Sequence, residues 1–250
     1  SSDLSEKPMI RNLIKDFVFQ RSPPNSYYIK DYNPHLPQEM YRTFMGGHFD
    51  TIGEQHLQFL KRYGLKEDMK FIDIGCGAMR SGVRIIDYLN PFNYYGIDVN
   101  TSILHAGYYS ELLNYGVQDK VTEENFCVTD NFELDQFNTQ FDMGMAQSVF
   151  THLPMNHIHY CLVKVAPFFK AGGKFFMTFW FCDEEDDITK TKHFKSDVLV
   201  ETNLIYDIFH IKRSQLTNMM QLKELNSLWE LEYLPDPHPR LQNWVVFSRK

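Results

Sequence analysis

No apolar run in the 250-residue chain approaches the roughly 20 residues needed to cross a bilayer. The first residues also lack the basic-then-apolar layout of a secretion signal. Both absences lead us to expect a cytoplasmic protein with no membrane partner. Cysteine is scarce: Cys76, Cys127, Cys161 and Cys182 are scattered, with no Cys-x-x-Cys pair. That pattern suits buried, reduced thiols in an intracellular protein. No His, Cys or carboxylate cluster has metal-ligand spacing, so no required metal is expected. Positive charge is outnumbered, 25 Lys and Arg against 32 Asp and Glu, for a formal charge of −7 without any sustained basic stretch. A chain built mainly to grip phosphate backbones is disfavoured, and no nucleic-acid partner is expected. Internal repeats and low-complexity tracts are missing as well.

What is present centres on Phe71-Ile72-Asp73-Ile74-Gly75-Cys76-Gly77-Ala78-Met79-Arg80. An apolar strand runs into a carboxylate, then into two glycines one residue apart. Ile85, Ile86 and Leu89 follow at helical spacing, placing a helix over 79–89. A strand that turns sharply on glycine into a helix lets backbone lie against a bound nucleoside, because no Cβ holds the ligand off. A second strand, Tyr94–Val99, carries Asp98 23 positions after Gly75. Folds of this type place a ribose-binding carboxylate about 20 residues on.

The rest of the chain fits that frame. A helix within residues 1–20 and a short helix near Gln38–Phe44 form an N-terminal arm, residues 1–45, that covers the site. Ile52, His56, Phe59 and Leu60 stripe the next helix, closed by Tyr63-Gly64. A helix over 101–115 has Thr101 or Ser102 as its N-cap. Strands are expected over 126–130, 141–148 and 174–181, with a helix over 155–169 and a turn at Ala171-Gly172-Gly173. Residues 183–212 form a polar insertion on the rim, followed by a helix over 213–225 and strands at 229–234 and 244–247. Strands alternating with helices imply right-handed crossovers. The fold class expected over residues 46–250 is α/β, Rossmann-like and doubly wound: a mostly parallel seven-stranded sheet with helices on both faces.

A dinucleotide fold wants a third glycine three positions after the second, where Arg80 stands here. Asp73, two residues before the first glycine, would repel a pyrophosphate but suits an α-amino group. The ligand suggested is a nucleoside carrying an amino acid. At these segments, and at Phe141–Pro154 and Ala171–Phe181, the chain resembles class I S-adenosylmethionine-dependent methyltransferases. It is most similar to bacterial small-molecule members associated with glycan building, through Gly-x-Phe-x-x-Ile-Gly, Gly-Cys-Gly-x-x-Arg and Ser-x-Phe-Thr-His-Leu segments. The resemblance covers about residues 46–182. Met79 departs from it, standing where many relatives have a third glycine.

The resemblance implies S-adenosylmethionine as cofactor, with Gly75 and Gly77 against its methionine and adenosine portions and Asp73 near the amino group. It implies Asp98 on the ribose hydroxyls, Asp130 and Asn131 near the adenine, and Gln147 near the methyl group. Arg80 either reaches the methionine carboxylate or pairs on the helix surface. Methyl transfer needs alignment, exclusion of water and, for a hydroxyl acceptor, a base. His152 is the first candidate, just past the fourth strand, and His48 the second. The expected reaction is methylation of a hydroxyl on a small molecule, a sugar or nucleotide-linked sugar, by a monomer or homodimer. Amine methylation and a silent cofactor-binding scaffold are the alternatives. A nicotinamide oxidoreductase is disfavoured by the missing glycine and by Asp73.

Overall fold

The computed structural model describes residue 33 and residues 35–195, 199–205 and 207–250; the helix expected within residues 1–20 lies outside them. Helices α1 (Gln38–Phe44) and α2 (Phe49–Arg62) precede strand β1 (Phe71–Ile74). Then come α3 (Gly82–Tyr88), β2 (Tyr94–Asp98), α4 (Thr101–Ala106), β3 (Phe126–Val128), β4 (Phe141–Ala146) and α5 (Met155–Val165). Strand β5 (Phe169–Phe179) and the short β6 (Phe181–Cys182) lead into the hairpin β7 (Lys192–Lys195) and β8 (Leu199–Thr202). The described chain closes with β9 (Ile211–Lys212), α6 (Arg213–Met219), α7 (Lys223–Leu228), β10 (Trp229–Pro237) and β11 (Asn243–Arg249).

Seven strands form one sheet in the order β10-β11-β5-β4-β1-β2-β3. Only β11 is reversed; it pairs antiparallel with both β5 and β10. Parallel strands covered on both faces must be apolar almost throughout, and β1 is buried at all four positions. Successive residues part to opposite sides. Phe71 packs in the layer of Leu60 and Ile85, whereas Ile72 joins Leu162 and Leu216. The order of β1 to its neighbours reverses between β2 and β4, and ligands of open α/β sheets bind outside the strand ends at such a point.

Several boundaries differ from the expected ones for local reasons. Helix α3 begins at Gly82 rather than Met79, because Met79 is left-handed at φ 61° and cannot start an α-helix. The cap of α4 is Asn100, not Thr101 or Ser102: its side chain accepts from the Ile103 N–H at 3.0 Å, while Ser102 Oγ accepts from Asn33 N–H. Residues 171–173 are part of β5, whose pairing with β4 slips between Phe141 and Met143 to absorb Gly172 at φ 77°. The single helix expected over 213–225 is two, broken by the turn at 220–222.

Helix α4 runs on through a π-helical turn, Gly107–Glu111, that buries Glu111 completely. There its carboxylate accepts from Tyr41 Oη at 2.7 Å and from Arg42 Nε and Nη2 at 2.7 and 2.6 Å, fastening α1 to the domain. Burial works against the charged carboxylate, but the bonds from Arg42, Tyr41 and Gln38 outweigh it and hold its pKa below the ordinary value. A depressed carboxyl pKa stabilises above the unfolded-state value of about 4.3 and is lost as pH falls through the folded one. Glu111→Gln should therefore cost about 2–3 kcal/mol in urea unfolding at pH 7 and speed hydrogen exchange across α1. Unchanged exchange would mean that apolar packing of Tyr41 alone holds the helix.

Candidate functional site

A cleft of about 980 Å3 opens along the carboxyl ends of β1, β2 and β4. Its floor is the turn after β1, where Gly75, Gly77 and Met79 take positive φ of 72°, 54° and 61°. Glycine adopts that region without strain; a methionine there is held only by its surroundings, and Met79 is fully buried. A Cβ on Gly75 would lie 2.4 Å from Val149 Cγ2, and one on Gly77 2.4 Å from Met45 Cε, so the turn needs both glycines. The Met45 side chain, from the link between α1 and α2, packs over this turn, and the Ala78 N–H points at its sulfur at 3.1 Å.

Two buried carboxylates flank the turn. Asp98, at the end of β2, accepts from the Gly77 N–H at 2.8 Å and the Asn100 N–H at 2.7 Å. Burial raises its pKa, opposed by those main-chain donors. Asp73, 3% exposed, accepts from Tyr94 Oη at 2.8 Å. Burial pushes its carboxyl up to about 7, against the Tyr94 bond and with help from the charge of Asp98. Asp130 lies exposed on the cleft rim beside buried Phe132. Asn131 does not line the cleft; its amide accepts from Thr129 Oγ1 and donates to Glu133 Oε1, each at 2.8 Å.

Arg80, Gln147, Arg240 and Gln242 also line the cleft. Arg80, 6% exposed, donates from Nη1 to the Met45 carbonyl at 2.8 Å and from Nη2 to Gln147 Oε1 at 2.7 Å. Gln147 Nε2 donates in turn to Ser148 Oγ at 2.6 Å. Behind them lie two buried histidines. The Arg240 N–H donates to His238 Nδ1 at 3.1 Å, so a neutral His238 carries its proton on Nε2, 3.3 Å from His56 Nε2. His56 then donates from Nδ1 to Ser81 Oγ at 2.7 Å. Burial, together with Arg80 and Arg240, lowers His238 to about 3, and burial with His238 pushes His56 well down. Both rings are neutral.

His152 follows β4 on the cleft side, and its Nδ1 lies 2.5 Å from Asp207 Oδ1. His48 stands elsewhere: left-handed and exposed at the N-cap of α2, outside the cleft lining. Of the sequence-derived residues, the structure brings Asp73, Gly75, Gly77, Arg80, Asp98, Asp130, Gln147 and His152 to one cleft.

Sequence reasoning missed Asp207, Arg240 and Gln242, all of which line it. Gln242, 6% exposed, donates from Nε2 to Ser148 Oγ at 2.7 Å, while its Oε1 is buried without a protein partner. A signal for the last two existed. Because β10 runs parallel to β5, its carboxyl end must emerge at the ligand edge, and Pro235 and Pro237 within that end, with Pro239 just beyond it, punctuate the approach. No comparable signal marked Asp207.

No protein-family model matches the chain. Its fold recurs in solved methyltransferase structures. A magnesium protoporphyrin IX methyltransferase from Synechocystis with bound S-adenosylmethionine is 12% identical, with a TM-score of 0.55 over 100% of both chains. A putative O-methyltransferase from Nostoc punctiforme is 14% identical, with a TM-score of 0.61 over 97% of this chain and 70% of its own. A glycopeptide N-methyltransferase complexed with S-adenosyl-L-homocysteine is 15% identical, with a TM-score of 0.54 over 80% of this chain and 90% of its own. The chain has the Rossmann-like α/β fold of these proteins.

Proposed function

We propose that the protein is an S-adenosylmethionine-dependent methyltransferase acting on a hydroxyl of a small polar molecule, a sugar or a nucleotide-linked sugar. The observation that carries this reading is the glycine turn flanked by Asp73 and Asp98, with His152 lining the same cleft. The residues suit the cofactor. A carboxylate accepts up to about four hydrogen bonds, so Asp98 keeps capacity for a ribose diol beyond its main-chain donors. Asp73 is a buried carboxylate that gains from a cationic ligand, and the cofactor's amino group supplies that charge. Phe132 and Asp130 offer an apolar face and an acceptor for a base. When bound, S-adenosylmethionine supplies an electrophilic methyl group on a sulfonium.

The chain's own contribution is to align acceptor and donor and to keep water out. Ser148, Thr151, Gln147 and Gln242 line the same cleft as Trp180. Such a lining suits a polyhydroxylated acceptor. His152 takes the hydroxyl proton. The insertion over 183–212 contributes Val200, Ile205 and Phe209 to the wall, which supports its role beside the acceptor.

The test is calorimetry with S-adenosylmethionine and S-adenosylhomocysteine, followed by incubation with nucleotide-activated sugars, phosphorylated metabolites and their amine counterparts. S-adenosylhomocysteine release reports turnover, and failure to bind either compound ends the reading. A pH signature accompanies binding. The folded chain keeps the Asp73 proton from about pH 3.8 to about 7, where the unfolded chain has lost it, so stability of the free protein declines as pH rises through that window. An ammonium beside Asp73 favours the carboxylate, so binding below about pH 7 should release protons and tighten as pH rises toward about 7. Calorimetry in buffers of different ionisation enthalpy measures the release; proton uptake would move Asp73 away from the amino group.

A further inference from the structure

We infer that Asp207 is a positioning residue for His152, and that the insertion after β5 exists in part to carry this carboxylate to the reacting end of the cleft. The inference rests on the methyltransferase reading above and deepens it, because it selects a hydroxyl over an amine as acceptor. Asp207 stands 55 residues from His152 in sequence, yet its Oδ1 lies 2.5 Å from His152 Nδ1. Both side chains are largely buried, at 17% and 15% exposure, so the contact is not a loose surface pair.

Main-chain bonds hold the two together independently of the side chains. The Phe209 N–H donates to the Thr151 carbonyl at 2.7 Å, tying the link that carries Asp207 to the residue before His152. Asn203 N–H donates to the Ile208 carbonyl at 2.7 Å, and Ile211 N–H to the Trp180 carbonyl at 3.0 Å. His210 adds side-chain bonds to Thr202 Oγ1 at 2.8 Å and to the Ile188 carbonyl at 3.0 Å. A segment used only as a cover needs no such fastening at the base.

The chemistry follows from the tautomer. A carboxylate at Nδ1 accepts a proton-bearing nitrogen, so the neutral imidazole carries its hydrogen on Nδ1 and its basic lone pair on Nε2. As the acceptor oxygen bonds to the methyl carbon, the carbon–sulfur bond breaks with its electron pair left on sulfur. The hydroxyl proton moves to Nε2. The imidazolium so formed lies against Asp207, which stabilises the charge without itself being protonated, and the proton leaves to water afterwards. An amine in its neutral form attacks through its own lone pair and sheds a proton only after the methyl has bonded, so it gains less from this arrangement than a hydroxyl does.

Two measurements decide the matter. Nitrogen-15 NMR of histidine-labelled protein at about pH 8.5, with His152 assigned through His152→Gln, reports the tautomer whether or not an acceptor has been found. The expected result is a protonated Nδ1 in the native protein and a shift toward the Nε2–H form in Asp207→Asn. Turnover with an acceptor from the panel should fall on the order of 10²-fold in Asp207→Asn at unchanged cofactor affinity, with Asp207→Glu recovering much of the loss. A native Nε2–H tautomer overturns the proposal, as does Asp207→Asn turnover within about threefold of native. Absence of cofactor binding in the native protein would instead strike the methyltransferase reading, leaving the tautomer result to judge Asp207 alone.

Discussion

Asp98→Ala is expected to weaken S-adenosylmethionine and S-adenosylhomocysteine about a hundredfold. A buried carboxylate that accepts from two hydroxyls makes charge-assisted bonds worth roughly 1.5–3 kcal/mol each. The same residue also receives the N–H groups of Gly77 and Asn100, so alanine loosens the glycine turn as well as the diol contact. The two contributions separate with a ribose-deoxy analogue of S-adenosylhomocysteine. Native protein should discriminate against it, whereas the alanine variant should bind both compounds alike. If calorimetry finds native affinity in the variant, Asp98 does not hold the ribose. Persistent discrimination would place the diol elsewhere in the cleft.

The second large effect is on rate. His152→Ala should lower turnover by about 10²–10⁴-fold, the usual contribution of a general base, while cofactor affinity moves by less than about twofold. The ring lies at the carboxyl end of β4 with Asp207 at its far side, so its removal deletes the base and leaves a charged carboxylate facing the space. Asp207→Ala added to His152→Ala should therefore cost little more, since the pair acts as one unit. His48→Ala is the control. Exposed at the N-cap of α2, it should leave turnover within about twofold of native. A loss below about fivefold in His152→Ala would mean that alignment alone drives the reaction.

The glycine turn was legible in sequence because its chemistry is local: Gly75 and Gly77 adopt the positive φ that their type permits. Met79 hid the same conformation, since nothing about methionine advertises a left-handed residue, and the start of α3 was misplaced by three residues in consequence. Asp98 was legible through spacing from that turn. Asn131 shared the acidic turn after β3 but spends its amide on Thr129 and Glu133, a choice set by rotamers that sequence does not encode. Asp207, Arg240 and Gln242 belong to no periodic pattern. They reach the cleft through strand order and main-chain bonds to distant residues, so the proline-marked segment before Arg240 and Gln242 reads in sequence only as a break, and its place at the cleft comes from the assembled sheet.

The placement of β11 has a consequence for the order in which the protein comes into being. This strand lies inside the sheet, between β5 and β10, although it is made after every other strand described. A chain leaving the ribosome can pair β1 to β5 early, but the gap beside β5 stays open until residue 249 has emerged. The loop bearing His238, Arg240 and Gln242 cannot reach Gly46 and Ser148 before that strand inserts. Nascent chains should thus acquire most of the secondary structure that precedes β11 well before they acquire a finished cleft, and the cleft stays incomplete until β11 has emerged.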